Sequence, residues 1–126
     1  RVCADHGAAL ILITHNLGIV ARYANRVNVM YAGRIVETGT AEDIYYRPRH
    51  HYTKGLLSSI PRLDQSREHL LRPIWGNPAD PFVPISGCRF HPRCPALHPK
   101  CKSERPLFSD QLACHFPLLI KEKVEC

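Results

Sequence analysis

All eleven prolines of this 126-residue chain lie in residues 48–126, and residues 1–47 contain none. Proline has no backbone N–H and fixes one backbone dihedral, so it interrupts helices and the interiors of sheets. The second part of the chain is therefore restricted to short helices and loops, whereas the first part is free to form regular elements. We place the boundary between two units near Arg47–Pro48.

The net charge of +6 is concentrated in the middle of the chain. Residues 47–105 carry eleven basic and four acidic side chains, whereas residues 1–46 carry four of each. The basic residues stand singly among prolines with few aromatic residues between them, which is typical of a solvated surface and does not indicate a nucleic-acid site. The longest apolar run has six residues, far short of the roughly 20 in a membrane-spanning helix, and no export signal opens the chain.

The first regular segment is the run from Ala8 to Thr14, which is apolar and becomes β-branched toward its end. Such a run predicts a strand that is buried on both faces, as in a parallel sheet. A strand of this kind needs neighbouring strands and a covering layer on each side, and the sequence contains no candidates for either. We therefore expect residues 1–47 to be the C-terminal end of a larger α/β domain.

A helix, a hairpin and a second helix are predicted after this strand. Asn16 is a suitable cap for a helix whose apolar side chains recur at helical spacing. Residues 27–38 alternate as in a β-hairpin around Ala32–Gly33, where glycine in the second turn position predicts a type II turn. Thr40 begins a capping box for a short helix that ends before the first proline.

The second unit offers one helical stretch, Thr53–Ile60, and is otherwise loop-like. A segment with so little regular structure needs metals, disulfides or a partner to become ordered. Four cysteines with the spacing C-x5-C-x6-C-x12-C are the candidates, and glycine and proline residues around them supply tight turns. They are Cys88, Cys94, Cys101 and Cys114, while Cys3 and Cys126 have no partner in this pattern.

Three interpretations of these cysteines stay open on spacing alone. A disulfide framework is typical of secreted chains, and no export signal supports it here. A zinc site suits four thiolates chemically but usually shows paired cysteines two to four residues apart. An iron–sulfur cluster held by four thiolates tolerates irregular spacing.

Seven stretches of the chain together resemble one protein family. They read LITHNLGIVA at 12–21, RV at 26–27, VMYAGRIVE at 29–37, PRHHYTKGLL at 48–57, IPRL at 60–63, GCRFHPRCP at 87–95 and ACH at 113–115. In this order they are similar to the C-terminal part of ABC-transporter ATP-binding subunits, and more narrowly to those of oligopeptide and dipeptide importers. The chain departs from the family pattern at Asn16, where aspartate is usual, and at His51, where proline is usual.

The resemblance implies an α/β fold in which residues 1–47 form the C-terminal end of an ABC-type nucleotide-binding domain. Residues 48–126 would then form a small loop-rich cysteine domain. His15 matches the switch histidine, which in this family hydrogen-bonds the γ-phosphate of ATP and helps to place the attacking water. The four matching cysteines of the family hold a [4Fe–4S] cluster, which favours iron–sulfur over zinc at Cys88, Cys94, Cys101 and Cys114.

The resemblance also implies the cofactors and partners of an intact subunit. That subunit would bind ATP and Mg²⁺ and would lie peripherally on the cytoplasmic face of the membrane. Its partners would be the transmembrane permease subunits and a second ATP-binding subunit, with no nucleic acid involved. The transported solute would be an oligopeptide, a dipeptide or nickel.

Several motifs of such an ATPase are absent from these 126 residues. There is no phosphate loop of the form G-x-x-x-x-G-K-[ST], and no apolar strand ending in Asp-Glu precedes His15. We therefore expect this piece not to hydrolyse ATP on its own. A standalone interaction module stabilised by zinc, without an ATPase role, is the alternative function. Trp75 is expected to be a core residue or a contact to another subunit.

Overall fold

The computed structural model describes residues 7–60, 73–80 and 82–119, and it combines short helices with one hairpin. None of the helices in these ranges has the length and hydrophobicity of a membrane span. The elements in chain order are α1 (Leu17–Tyr23), β1 (Arg26–Tyr31), β2 (Arg34–Thr40), α2 (Ala41–Tyr46), α3 (His51–Ser58), a 3-10 helix (His91–Arg93) and α4 (Pro99–Ser103).

The strands β1 and β2 pair antiparallel, as the alternating pattern predicts, with an irregularity in the register between Val29 and Met30. The prediction of a type II turn is wrong. Ala32 and Gly33 both have positive φ, at 47° and 76°. Two successive positive φ values belong to a type I′ turn, whose twist matches the right-handed twist of the flanking strands in a two-residue hairpin loop.

The helix starts follow from side chains that accept backbone hydrogens. The Asn16 side chain accepts from the backbone N–H of Ile19 at 3.2 Å and begins α1. Thr40 accepts from the N–H of Asp43 at 3.1 Å and begins α2, which confirms the cap; the Asp43 carboxylate accepts the Thr40 hydroxyl at 2.7 Å in place of the backbone N–H of a full capping box. The helix predicted over Thr53–Ile60 begins earlier, at His51, because the His50 ring acts as its cap.

The predicted strand Ala8–Thr14 is wrong for this chain: the described residues 8–14 belong to no helix or strand. Leu10, Ile11 and Ile13 are 74%, 89% and 94% exposed. A strand is stabilised by hydrogen bonds to its neighbours, and the hairpin does not reach this segment. The apolar composition of this segment suits a buried strand, but the described residues supply no strand or layer that covers it.

The hydrophobic core joins side chains from both predicted units. Val27, Val29, Tyr31 and Val36 of the hairpin are buried, and they pack with Ile44 of α2 and with Phe90, which are each only 2% exposed. Trp75, by contrast, is 84% exposed and is not a core residue.

Residues near the end of the described chain extend the hairpin at the free edge of β2. The N–H of Thr38 donates to the carbonyl of Gln111 at 2.8 Å, and the N–H of Ala113 donates to the carbonyl of Val36 at 2.9 Å. Leu112, between them, forms an isolated bridge with Glu37 and is 5% exposed. Because Ala113 is paired with β2, the next residue, Cys114, is held close to the hairpin.

Candidate metal centre

The four cysteines of the spacing pattern line a single pocket, although up to 26 residues separate them in the chain. Cys101 is buried and the other three are half-buried, and all four are free thiols. Ala96, two aromatic residues and four histidines complete the lining; the aromatic residues are Phe90 and Phe116, and the histidines are His50, His51, His91 and His115.

A close backbone approach brings Cys88 and Cys101 together. The N–H of Cys88 donates to the carbonyl of Cys101 at 2.9 Å. The preceding residue, Gly87, has a φ of +64°, and a β-carbon built on it would lie 2.3 Å from the Cys101 carbonyl oxygen. Only glycine fits this position, both for its backbone dihedral and for the space available.

The 3-10 helix His91–Arg93 belongs to the turn that begins at Cys88 and ends at Cys94. The N–H of Cys94 donates to the carbonyl of His91 at 3.3 Å, and Nδ1 of His91 lies 2.9 Å from the carbonyl oxygen of Cys88. Arg93 anchors this turn from outside, because its guanidinium donates to the carbonyls of Ile74 and Trp75 at 3.1 and 3.0 Å.

An aromatic cluster beside the pocket connects it to the hairpin core. The Phe90 ring meets Tyr31 edge-on at 5.2 Å between centroids, and it lies 5.4 Å from Tyr52 and 5.8 Å from the ring of His50. Aromatic pairs in this range add to the stability that apolar burial provides. The cysteine loops, which contain little regular structure, are therefore packed against this aromatic cluster through Phe90.

Burial changes the acidity of the pocket thiols. It raises the pKa of Cys88 and Cys94, and it raises the pKa of Cys114 to about 11. Repulsion between thiolates in one pocket adds to the rise, since the other cysteines lie close to Cys114. These three thiols are protonated at neutral pH, and a metal that binds them must displace their protons.

His50 is the most buried histidine of the pocket, at 1% exposure. Its Nδ1 accepts the backbone N–H of Tyr52 at 3.0 Å, and its own backbone N–H donates to the Glu37 carboxylate at 3.1 Å. Burial, followed by the nearby charge of His51, lowers the pKa of His50 to about 4. Its Nε2 makes no hydrogen bond of ordinary geometry within the described residues, although the backbone of Ala113 interacts with the ring and opposes the fall in its pKa.

A family model described as "Oligopeptide/dipeptide transporter, C-terminal region" matches residues 36–101, which is more than half of the chain. The chain belongs to this transporter family. The matched stretch covers most of β2, the helices α2 and α3, the 3-10 helix, the beginning of α4 and three of the four pocket cysteines. Cys114 lies beyond it.

Curated relatives agree with this family. The chain is 58% identical over 87 residues to the dipeptide transport ATP-binding protein DppD of Bacillus subtilis, which covers 69% of this chain and 26% of the relative. It is 48% identical over 98 residues to the oligopeptide transport ATP-binding protein OppD of Haemophilus influenzae, with 78% and 30% covered. DppD of Escherichia coli is 42% identical over 115 residues, with 87% and 35% covered. The chain thus spans about a quarter to a third of the length of these relatives.

The four free cysteines of this pocket are chemically suited to bind a metal centre through their sulfur atoms. Across residues 7–60, 73–80 and 82–119, however, no three His, Cys, Asp or Glu side chains are close enough to hold a single metal ion. A space of about 10 Å³ remains in the pocket, roughly the room of one water molecule. Zinc needs all its sulfurs about 2.3 Å from one point, whereas each iron of a [4Fe–4S] cluster takes its own thiolate. Either centre therefore requires the cysteine side chains to leave the positions that they have in this structure.

His15, the other predicted site residue of the transporter chain, is exposed in the described segment just before α1. It lies in neither the pocket lining nor the hydrophobic core. Cys3 and Cys126 lie outside the described residues, as does most of the IPRL stretch at 60–63.

Sequence reasoning missed His50 and His51 as pocket residues. The Nε2 of His51 lies 2.9 Å from the carbonyl oxygen of Phe116, so this ring joins the start of α3 to the segment after Cys114. Both histidines precede the cysteine pattern by more than 35 residues. No local spacing signal in the sequence connects them to the cysteines.

Proposed function

We propose that this chain is the C-terminal part of the ATP-binding subunit of an ABC importer for oligopeptides or dipeptides. The family match supports the proposal, as do relatives whose names describe dipeptide and oligopeptide transport ATP-binding proteins. The intact subunit would bind ATP and Mg²⁺ and couple hydrolysis to uptake. It would sit on the cytoplasmic face of the membrane against permease subunits and a second ATP-binding subunit.

Within that subunit, His15 is the proposed switch histidine. It lies at the end of an apolar segment that would become a central strand once neighbouring strands cover it, and ligands bind at the carboxyl ends of such strands. Replacing His15 with Ala in the intact subunit should abolish ATP hydrolysis by the assembled importer while ATP binding persists. Hydrolysis at the rate of the parent would remove His15 from the mechanism.

Residues 48–126 are proposed to form a domain ordered by a metal centre on four cysteines. The observation that carries this proposal is the convergence of Cys88, Cys94, Cys101 and Cys114 on one pocket. A [4Fe–4S] cluster, when bound, supplies four irons that each take one thiolate and thereby closes three loops at once. The chain's own part is to hold the loops in place through Gly87, the 3-10 helix and the pairing of Leu112 with β2.

A series of cysteine replacements tests this centre. In anaerobically prepared protein, replacing any one of the four pocket cysteines with Ser should bleach the brown colour and unfold the cysteine region. Cys3→Ser and Cys126→Ser are the matched controls, because they remove a thiol outside the spacing pattern and should change neither property. Loss of colour in the controls, or none in the four pocket variants, would contradict the assignment.

A further inference from the structure

Residues 114–118, here called the strap, form one side of the cysteine pocket. Two strap side chains, His115 and Phe116, line the pocket together with the four cysteines. The pocket has a volume of about 10 Å³, and its most enclosed thiol, that of Cys101, belongs to a residue only 7% exposed. A molecule larger than water reaches the inner thiols only when a wall of the pocket moves, and the strap is such a wall.

Backbone hydrogen bonds hold the two ends of the strap. Just before it, the N–H of Ala113 donates to the carbonyl of Val36 at 2.9 Å. At its far end, the N–H of Leu118 donates to the carbonyl of Arg49 at 2.8 Å. Between these anchors, residues 114–117 make no backbone–backbone hydrogen bond within the described part of the chain. Side chains must therefore hold the middle of the strap.

The His51 ring makes the central contact of the strap. Its Nε2 lies 2.9 Å from the carbonyl oxygen of Phe116. A carbonyl oxygen only accepts, so this ring nitrogen carries a hydrogen and donates it. His51 is the first residue of α3, and the start of α3 is tied to the hairpin because the Glu37 carboxylate accepts the backbone N–H of His50 at 3.1 Å. The bond therefore connects the strap to a fixed element.

Two other contacts of the strap lead back into the cysteine region. Nε2 of His115 lies 3.0 Å from the carbonyl oxygen of Glu104, and the Phe116 ring packs against the His98 ring at 4.4 Å between centroids. His98 and Glu104 flank α4, which carries Cys101 on the same loops that the strap covers. These contacts do not tie the strap to the hairpin, whereas the contact of His51 does.

We propose that the hydrogen bond from His51 to the Phe116 carbonyl keeps the strap closed over the four pocket thiols and limits how fast reagents and metal ions reach them. His51 is then a positioning residue and not a metal ligand. For metal ions the inference rests on the proposed metal centre, whereas for thiol reagents it concerns the metal-free pocket itself. Loss of the bond should raise the open fraction of the strap about fivefold, as expected for the net contribution of one hydrogen bond.

Proline at position 51 removes this bond while keeping the helix. The first position of a helix favours proline, and His50 before it already has the extended backbone, with φ of −88° and ψ of 135°, that a residue before proline adopts. His51→Gln is the rescue variant, because its side-chain amide can donate to the same carbonyl. Ser58→Ala is the matched control, because it removes a hydrogen bond of 2.8 Å from a side chain of α3 to the Lys54 carbonyl, outside the pocket.

The measurement is the rate at which iodoacetamide modifies the pocket cysteines of the reduced, metal-free 126-residue chain, read by mass spectrometry. Cys3→Ser and Cys126→Ser in every sample leave only the four pocket thiols. Modification follows the open fraction of the strap, so we expect His51→Pro to react about fivefold faster than the parent, most clearly at Cys114. His51→Gln and Ser58→Ala should react at close to the parent rate. The urea midpoint of His51→Pro should not fall, which separates strap opening from a general loss of stability.

The same variants are then compared in protein purified without oxygen. Iron or zinc should pass to a chelator about fivefold faster from His51→Pro than from the parent, with equal metal content at the start. Equal modification rates in His51→Pro and the parent would overturn the role of His51, as would a faster rate that comes with a lower urea midpoint. A chain that binds neither iron nor zinc would overturn the proposed metal centre, and the modification rates would still decide the role of His51.

Discussion

Replacing Gly87 with Ala tests whether the close approach of two backbones builds the cysteine pocket. Gly87 has a φ of +64°, and an added β-carbon would meet the Cys101 carbonyl oxygen at 2.3 Å and the backbone of Lys102 at 2.8 Å. Both neighbours are backbone atoms, so no side-chain rotation relieves the clash. The variant must push the Cys88 turn away from Cys101 and lengthen the 2.9 Å hydrogen bond between them.

The expected cost has two parts. A β-carbon in the left-handed region costs about 1 kcal/mol, and forcing extra volume into a packed site costs about 1–3 kcal/mol more. Gly33→Ala is the matched control, because Gly33 has a φ of +76° and the nearest atom to an added β-carbon is the end of the Arg89 side chain at 3.8 Å. The control therefore includes the cost of a β-carbon in the left-handed region but not the cost of extra volume in a packed site.

Urea denaturation of both variants, followed by far-ultraviolet circular dichroism, gives the comparison. We expect Gly87→Ala to lower the free energy of unfolding by about 3 kcal/mol and Gly33→Ala by about 1 kcal/mol. Metal content should fall only in Gly87→Ala, since only that change separates Cys88 from Cys101. Equal losses in the two variants would show that the backbones are not in tight contact and would refute the reasoning.

Four further expectations follow from the same residues. Calorimetry with Mg-ATP should detect no binding to the isolated chain tighter than about 100 µM, near −5.5 kcal/mol, because it carries no phosphate loop; tighter binding would contradict this. Glu37→Gln should lower the free energy of unfolding by about 2 kcal/mol, because an amide offers one acceptor where the carboxylate oxygens receive two backbone N–H groups; an unchanged urea midpoint would count against it. The metal-free chain should lose up to about 3 kcal/mol of stability as pH falls from 6.5 to 4, because unfolded His50 takes up a proton that the folded chain refuses. In urea titrations, the free energy of unfolding of His50→Asn should change little between these pH values. A parent protein whose free energy of unfolding does not fall as pH is lowered would contradict the expectation. The exposed run Leu10–Ile13 should make the isolated chain self-associate or be cut there first by thermolysin; a monomer protected over this run would refute the expectation.

Local chemistry made much of the fold predictable. Asn16 and Thr40 begin helices because their side chains reach backbone N–H groups within three residues, and this depends on no distant part of the chain. The hairpin followed from alternation over residues 27–38. Its turn type did not, because glycine in the second position is compatible with both geometries and strand twist decides between them.

Predictions that depended on contacts between distant parts of the chain had mixed outcomes. The run Ala8–Thr14 has the composition of a central strand, but without neighbours among the described residues it forms none. The convergence of the four cysteines was anticipated from their spacing and from the family resemblance. His50 was not, because histidine is an unusual helix cap and its burial arises from Phe90 and the hairpin, far away in sequence.

Metal analysis of the 126-residue chain, purified without oxygen, tests the four-cysteine centre most directly. With a [4Fe–4S] cluster on Cys88, Cys94, Cys101 and Cys114, the protein should be brown, absorb broadly near roughly 400 nm and contain about four irons per chain. A colourless protein with one zinc per chain would instead support the interaction module, and a metal-free protein or one with disulfides among these cysteines would contradict both.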